Sequence, residues 1–373
     1  MRILEEHPRL ARLVKDGAER ALAAVGSTSA QASEPEPPPE PEPAPEPEPH
    51  PGPAPGAGAR FARSPGIPWL AVEEFLTTRR LYARLDKHDV TEIEELIRSD
   101  PELTGIYASV SDPGTRQHMV LGFGIWLEHP AATEKTGLLA SQPPENVHVM
   151  ARGPSAAAGG LYEADLVVNA LAGSGVDMAA VDSALDFGCS SGRVVRVLAA
   201  AYPQVGWHGC DPNAPAIAWA SENLPGIEFF ANGDVPPLPL ADGSLDLAYA
   251  ISIWSHFAPD LGLRWFEEMH RLIRPGGHLV CTTHGLTSVA YSSMHGRSQE
   301  QSEEILDALY RQGSWYAPEF GEEGDWGVVN PAWGTAFLSP EWMLTHLCPR
   351  WRVLEFAPGR NQENQDVYVL QRV

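Results

Sequence analysis

Hydrophobic positions along the chain follow two different patterns. From Trp69 to Leu85, Val72, Phe75, Leu76, Tyr82 and Leu85 recur near helical spacing, which predicts a helix. Thr91-Glu-Ile-Glu94 has the form of a capping box ahead of Leu96 and Ile97, so a second helix is expected to start there. Residues Gln117 to Glu128 predict a third. From Ala184 the pattern changes to short apolar runs alternating with helical stretches, as in a parallel sheet with crossovers. "SALDFG", "VGWHGCD", "IEFFANGD", "LDLAYAISI" and "RPGGHLVCTTHG" read as strands. "GRVVRVLAAAY", "APAIAWASENL" and "LGLRWFEEMHRLI" read as helices, the last with Leu261, Trp265, Met269 and Leu272 aligned. "WRVLEF" and "DVYVLQR" close the chain as two strands with no crossover-length helix between them, so they are expected to run antiparallel.

Composition changes this picture at the N-terminal end. The run "SEPEPPPEPEPAPEPEPHPGPAPG", Ser33 to Gly56, alternates proline with glutamate, fixing φ, removing amide donors and offering nothing apolar to bury. The expected organisation is an amphipathic helix at residues 1–25, a disordered Pro/Glu-rich linker at 26–60, a helical subdomain at 61–160 and an α/β domain at 161–373. The first helix and the linker are candidates for docking a protein partner. The apolar stretches near Met1 are too short for a membrane span or a signal-peptide core. The formal net charge of −23, with Lys15, Lys87 and Lys135 the only lysines, argues against a nucleic-acid groove. Cys189, Cys210, Cys281 and Cys348 are far apart and form no C-x-x-C pair, so no metal site is expected. They read as reduced thiols of a cytoplasmic protein.

The candidate chemistry centres on "LDFGCSSGRV", Leu185 to Val194. Gly188-x-Ser190-x-Gly192 fits the nucleophile elbow of a serine hydrolase, for which His284 and Asp260 would have to serve as partners. The same residues fit a glycine-rich turn against which a nucleotide-like cofactor lies. The first three predicted strands end near Asp186, Asp211 and Asp234. Asp211, 25 positions after Asp186, suits a ribose, and Asp234 suits an exocyclic amine. A hydrolase leaves these carboxylates unexplained and needs strands before the elbow, where helices are predicted. The cofactor turn is favoured. A third reading keeps the fold but uses it as a non-catalytic interaction module.

"LDFGCSSGR", "HGCDPN", "NGDVPPLPLADGSLDLAYAISIWSHF" and "RLIRPGGHLV", in this order, resemble the motifs of the class I S-adenosylmethionine-dependent methyltransferases. The resemblance covers Ala184 to about Gly285, with Ser190 standing where many members have glycine. "FGCSSGR", "SHF", "TTHG" and "NQD" also resemble bacterial methyltransferases of glycan or other secondary biosynthesis. The family implies an α/β fold: a Rossmann-like, doubly wound seven-stranded sheet with an antiparallel last strand. It implies S-adenosylmethionine held by Asp186, Gly188, Ser190, Gly192, Asp211, Asp234 and Val235. Methyl transfer from a sulfonium needs alignment and, for a hydroxyl acceptor, a base. His256 is the first candidate and His284 the second. The aromatic stretch 287–349 is expected to cap the site, with Trp315, Tyr316 and Trp326 contacting substrate. The expected acceptor is a small molecule or glycan, methylated at oxygen.

Overall fold

The computed structural model describes residues 74–153, 155–318, 329–330 and 333–373. The expected N-terminal helix and Pro/Glu linker lie outside the described residues, as does Trp326.

Among the described residues, seven α-helices precede the first strand: α1 (Leu76–Tyr82), α2 (Lys87–Ser99), α3 (Pro101–Ser109), α4 (Pro113–Trp126), α5 (Pro130–Glu134), α6 (Ser155–Ala158) and α7 (Leu161–Gly173). Helix α2 does not begin at the expected Thr91 box. Asp86 caps it instead, accepting from the N–H groups of His88 and Asp89 while Asp89 reaches back to the Asp86 N–H. Thr91 sits one turn inside and donates to the Lys87 carbonyl. An aspartate pair upstream provides an equivalent reciprocal cap, and the helix takes the longer register.

The strands follow as β1 (Ser183–Phe187), β2 (Gly206–Asp211), β3 (Ile227–Ala231), β4 (Leu245–Ala250) and β5 (Ile273–Thr283). Helices α8 (Val195–Ala201), α9 (Ala214–Asn223) and α10 (Pro259–Leu272) form the connections. Helices α11 (Leu286–Met294) and α12 (Gln299–Gln312) then lead into a small hairpin, β6 (Ser314–Ala317) and β7 (Thr335–Leu338). Helix α13 (Pro340–Leu347) precedes β8 (Trp351–Asn361) and β9 (Gln365–Arg372). The large sheet has the order β3-β2-β1-β4-β5-β9-β8. Strands β1 to β5 pair in parallel, and β9 runs antiparallel to both β5 and β8. The doubly wound seven-stranded sheet with an antiparallel last strand is therefore present. Its order reverses between β1 and β4, where a crevice opens at the carboxyl ends of the strands.

The segment expected as a helical subdomain shares the core of the sheet. One apolar cluster runs from Phe75, Ile93 and Leu121 through α7 to Leu247, Val280 and Val369. Helix α7 is buried from Leu161 to Leu171, including Asp165, whose carboxylate accepts from Thr77 N (2.7 Å), Thr78 N (3.1 Å) and Thr78 Oγ1 (2.5 Å). The otherwise unpaired amides at the start of α1 are thus satisfied by α7. A second cluster, on the opposite face, packs α10 and α13 against Leu185, Ala248 and Leu279. No described helix is long and apolar enough to cross a membrane.

Candidate active site

The turn after β1 takes a conformation that favours glycine. Gly188 and Gly192 have φ of 86° and 78°, and Ser190, between them, has φ of 50°. A side chain at positive φ is strained by the contact between Cβ and backbone oxygen. The strain is held by Asp211 at the end of β2. Its Oδ2 accepts from Ser190 N and its Oδ1 from Asn213 N, both at 2.8 Å. Each carboxylate oxygen has a further lone pair for a ligand hydroxyl. The elbow reading fails on architecture: helices, not strands, precede β1 among the described residues. Ser190 is packed into the turn, and the two candidate histidines are engaged on other elements.

Asp186 lies beneath this turn. Burial pushes its carboxyl up to about 7, while Tyr249 and Arg193 pull the other way. Burial also raises Asp211, against the backbone N–H groups of Asn213 and Ser190. Burial holds the Cys189 and Cys210 thiols well above their ordinary range. A protonated acid beside a second carboxylate is a site that a cationic ligand would stabilise, because the incoming charge replaces missing solvation. The residues present fit a cofactor carrying an ammonium and a sulfonium.

A cleft of about 310 Å3, counted with its open mouth, lies at the carboxyl ends of β1 to β4. Gly188, Asp211, Asn232 and Asp234 line it on the side of β1 to β3. Ile253, Phe257, Trp265 and Trp333 complete the wall. Three of the expected cofactor residues are therefore brought together; Val235, next to Asp234, is exposed. A Cβ at Gly188 would overlap Ile253, so glycine is required there for packing as well as for φ. Asn232 heads the motif that contains Asp234, and Trp333 belongs to the aromatic stretch 287–349, but neither is singled out as a site residue by the sequence alone. Among the described residues, no group of three or more His, Cys, Asp or Glu side chains could hold a metal ion.

His256 follows β4 in the expected place. Its Nδ1 faces the Gly334 carbonyl at 3.1 Å, and its ring stacks on Trp333 with centroids 5.8 Å apart and planes 15° apart. The carbonyl can only accept, so Nδ1 carries the proton. Burial pushes His256 down to about 4. His284, at the end of β5, belongs to a polar network centred on Gln365. Gln365 Oε1 accepts from Ser252 Oγ (2.9 Å), Thr282 Oγ1 (2.7 Å) and Asn361 Nδ2 (3.0 Å). That fixes the amide, so Gln365 Nε2 donates to His284 Nε2 at 3.3 Å. Burial, then the charges of His256 and Arg297, push His284 down to about 3. Both rings are neutral near pH 7, and the Nε2 lone pair of His284 is occupied.

The β6–β7 hairpin docks on these two loops through its backbone. Gly334 N donates to His256 O, Ala336 N to Ser255 O and Leu338 N to His284 O. Trp315, on β6, turns away from the cleft: its Nε1 donates to Glu304 at 3.0 Å, and its ring meets Phe337 edge-on at 5.8 Å. It packs on a small core of Val289, Ile305, Leu309 and Phe337. Tyr316, adjacent on β6, has a buried hydroxyl. Of the aromatics placed in this segment, Trp333 is the one that lines the cleft.

Residues 184–277 match the family model described as a methyltransferase domain. The chain is 38% identical over 103 residues to an uncharacterized 37.1 kDa protein of transposon TN4556 from Streptomyces fradiae, covering 26% of this chain and 29% of that protein. It is 30% identical over 100 residues to malonyl-[acyl-carrier protein] O-methyltransferase from Hahella chejuensis, covering 26% and 35%. It thus spans about a third of the length of these curated relatives. A solved S-adenosylmethionine-dependent methyltransferase from Methanosarcina mazei is 20% identical, with a TM-score of 0.37 over 52% of this chain and 92% of that one. The matched stretch begins in β1, ends in β5 and includes the glycine turn, Asp211 and Asp234. The chain carries a class I S-adenosylmethionine-dependent methyltransferase domain.

Proposed function

We propose that the protein transfers a methyl group from S-adenosylmethionine to an oxygen of a small molecule or glycan in the cytoplasm. The observation carrying this reading is one cleft lined by Gly188, Asp211 and Asp234 on the strand side and by Trp333, stacked on His256, on the hairpin side.

When bound, the cofactor supplies an electrophilic methyl group on a sulfonium that leaves as a neutral thioether. The turn from Gly188 to Gly192 would allow close backbone approach, Asp186 would pair with the ammonium and Asp211 would receive the ribose hydroxyls. Asp234 and Val235 would flank the base. His256 is neutral and oriented by Gly334, so it is ready to take the proton of an attacking hydroxyl. Its depressed basicity makes it a weak base, and most of the rate is assigned to alignment. Trp333 supplies an apolar face for the acceptor, with Trp315 and Tyr316 on the surrounding cap. Residues 1–60 are assigned to tethering a protein partner.

Calorimetric titration with S-adenosylmethionine tests the reading, alongside Asp211→Ala. The wild type is expected to bind, and the variant to lose at least about tenfold in affinity, the effect of a charge-assisted hydrogen bond or more. A folded wild type that does not bind the cofactor would overturn the reading. If binding is seen, screening hydroxylated small molecules and glycans with His256→Ala as control tests the acceptor and the base. Unchanged transfer in that variant removes His256 from the mechanism.

A further inference from the structure

Three short stretches of the sequence, "SHF" at 255–257, "TTHG" at 282–285 and "NQD" at 364–366, are far apart in the chain and meet beyond the carboxyl ends of β4 and β5. Gln365, 5% exposed, is where they join. Its Oε1 accepts from Thr282 on β5, from Ser252 beyond β4 and from Asn361 at the end of β8, and its Nε2 donates to His284. Ser255 Oγ donates to the Ser252 carbonyl at 2.9 Å.

Ser252 has a φ of 62°, in the left-handed region where backbone oxygen crowds a side chain. Strain of this kind persists only where the surroundings over-determine it. Two bonds do so here: Ser252 N donates to Thr282 Oγ1 at 2.7 Å, and Ser252 Oγ donates to Gln365 Oε1 at 2.9 Å. Thr282 Oγ1 donates in turn to Gln365 Oε1, so both bonds lead to one amide oxygen. The next residue, Ile253, lines the cleft and fills the space that a Cβ at Gly188 would take. His256 N donates to the Ile253 carbonyl at 3.0 Å. A displaced Ser252 therefore shifts the wall against the glycine turn and the backbone of His256 together.

The same amide decides where His284 carries its proton. Gln365 Nε2 can only donate, so the ring nitrogen it meets, Nε2, holds the lone pair and Nδ1 holds the proton. Glutamate at 365 has nearly the same shape and keeps an oxygen for Ser252, Thr282 and Asn361. It replaces the donor with a second acceptor, which demands a proton on His284 Nε2.

We propose that Gln365 is a positioning residue for methyl transfer: it pins the strained Ser252, and through it Ile253 and His256, and it withdraws His284 from proton transfer by occupying the ring's lone pair. The first half rests on the cofactor reading above; the second does not.

The test uses the full chain with isotopically labelled histidine, whose imidazole nitrogen shifts distinguish a protonated nitrogen from one bearing a lone pair. The His284 signals are identified by their loss in His284→Asn. At neutral pH the wild type is expected to show His284 protonated on Nδ1 alone, and Gln365→Glu to show a proton on Nε2, a change that general loosening of the fold would not produce. Calorimetric titration with S-adenosylhomocysteine reads the loop. Gln365→Glu should bind within about twofold of the wild type, because the anchoring oxygen is kept. Gln365→Leu should bind about tenfold more weakly, because the binding-competent loop is less populated. Thr282→Val, nearly isosteric, removes the acceptor of Ser252 N and should weaken binding in the same direction should the leucine variant not fold. A wild-type His284 protonated on Nε2, or Nδ1 alone still protonated in Gln365→Glu, overturns the proton assignment. Undiminished affinity in folded Gln365→Leu or Thr282→Val overturns the loop assignment. A folded wild type that does not bind S-adenosylhomocysteine overturns the cofactor reading and the loop assignment with it, while the imidazole signals still decide the proton.

Discussion

Asp186 is the residue whose ionisation reports most directly on the site. Its carboxyl is held up to about 7 by burial, well above the ordinary value of 3.8 that the unfolded chain would show. The folded protein therefore keeps a proton that the unfolded chain releases. The stability contributed is fully present below pH 4 and is lost as pH rises towards 7, at about 1.4 kcal/mol per pH unit. Asparagine matches the neutral acid in shape and cannot ionise. Asp186→Asn should melt like the wild type near pH 4 and at a higher temperature at pH 8, as thermal denaturation at both values would show. The same variant should bind the cofactor more weakly. Conversely, cofactor binding to the wild type near pH 6 should release a proton, seen as a binding enthalpy that depends on the ionisation enthalpy of the buffer. Ser190 offers a second test. Glycine at its φ of 50° removes a backbone strain of about 1–2 kcal/mol, partly offset by greater freedom of the unfolded chain. Ser190→Gly should therefore raise unfolding stability by about 0.5–1 kcal/mol in a urea titration. The glycine turn and the acidic strand ends were legible in the sequence because their spacing is local. The polar contacts of Asn232 and Gln365 were not, although both residues fall within quoted motifs, because a shared polar atom exists only after distant elements have met.

At the scale of elements, the strands of the large sheet could be read because each is a buried apolar run between turns. The β6–β7 hairpin could not. Its strands are four residues each, its aromatics fit a cap or a core equally, and its partners are loops beyond β4 and β5. Helix α2 shows the converse error, a correct helix with a wrong start, because Thr91–Glu94 and Asp86–Asp89 both satisfy the capping pattern. What the hairpin does follows from Gly334. Its N–H donates to His256 O, its carbonyl receives His256 Nδ1, and a Cβ there would overlap the Ala317 carbonyl. Gly334→Ala should force β7 away from β6 at Ala317 and thereby disturb its docking on the loop carrying His256. Amide exchange at Ala336 and Leu338, which donate to Ser255 and His284, should accelerate about tenfold or more for every 1.4 kcal/mol of docking lost. Methyl transfer should fall through the acceptor KM, with cofactor affinity far less affected, because Asp186, Asp211 and Asp234 belong to other elements. Unchanged exchange would mean that the hairpin is held by its side-chain core and not by these backbone bonds.

At the scale of the whole molecule, helices and sheet depend on each other through one buried charge. Arg196, on α8, is 1% exposed and has carbonyl oxygens as its hydrogen-bond partners. Its Nε donates to Gly192 O (3.0 Å) and its Nη2 to Ser191 O (3.0 Å), both in the cofactor turn. Its Nη1 donates to Leu139 O (3.2 Å) and Ser141 O (2.7 Å), in the strap between α5 and α6. Burial pushes the guanidinium down to about 10, so it stays charged at neutral pH, held among the described residues by carbonyl oxygens. Asn213, beside the ribose candidate Asp211, donates to the His148 carbonyl of the same strap at 2.7 Å. Removing residues before 155 would take away two of the four carbonyls that solvate a buried cation, and would expose the face of α7 that packs on α1. Leaving a buried charge under-solvated costs several kcal/mol, comparable with the whole stability of a typical domain. A chain of residues 155–373 should therefore lack fixed tertiary structure by near-ultraviolet circular dichroism and should not bind S-adenosylhomocysteine, although it contains every cofactor residue assigned here. Calorimetric unfolding of the full chain should show one cooperative transition for the helices and sheet together. A truncated chain that folds and binds would show that the strap only covers the cofactor turn; the expected loss would mean that the turn is built by both halves of the core.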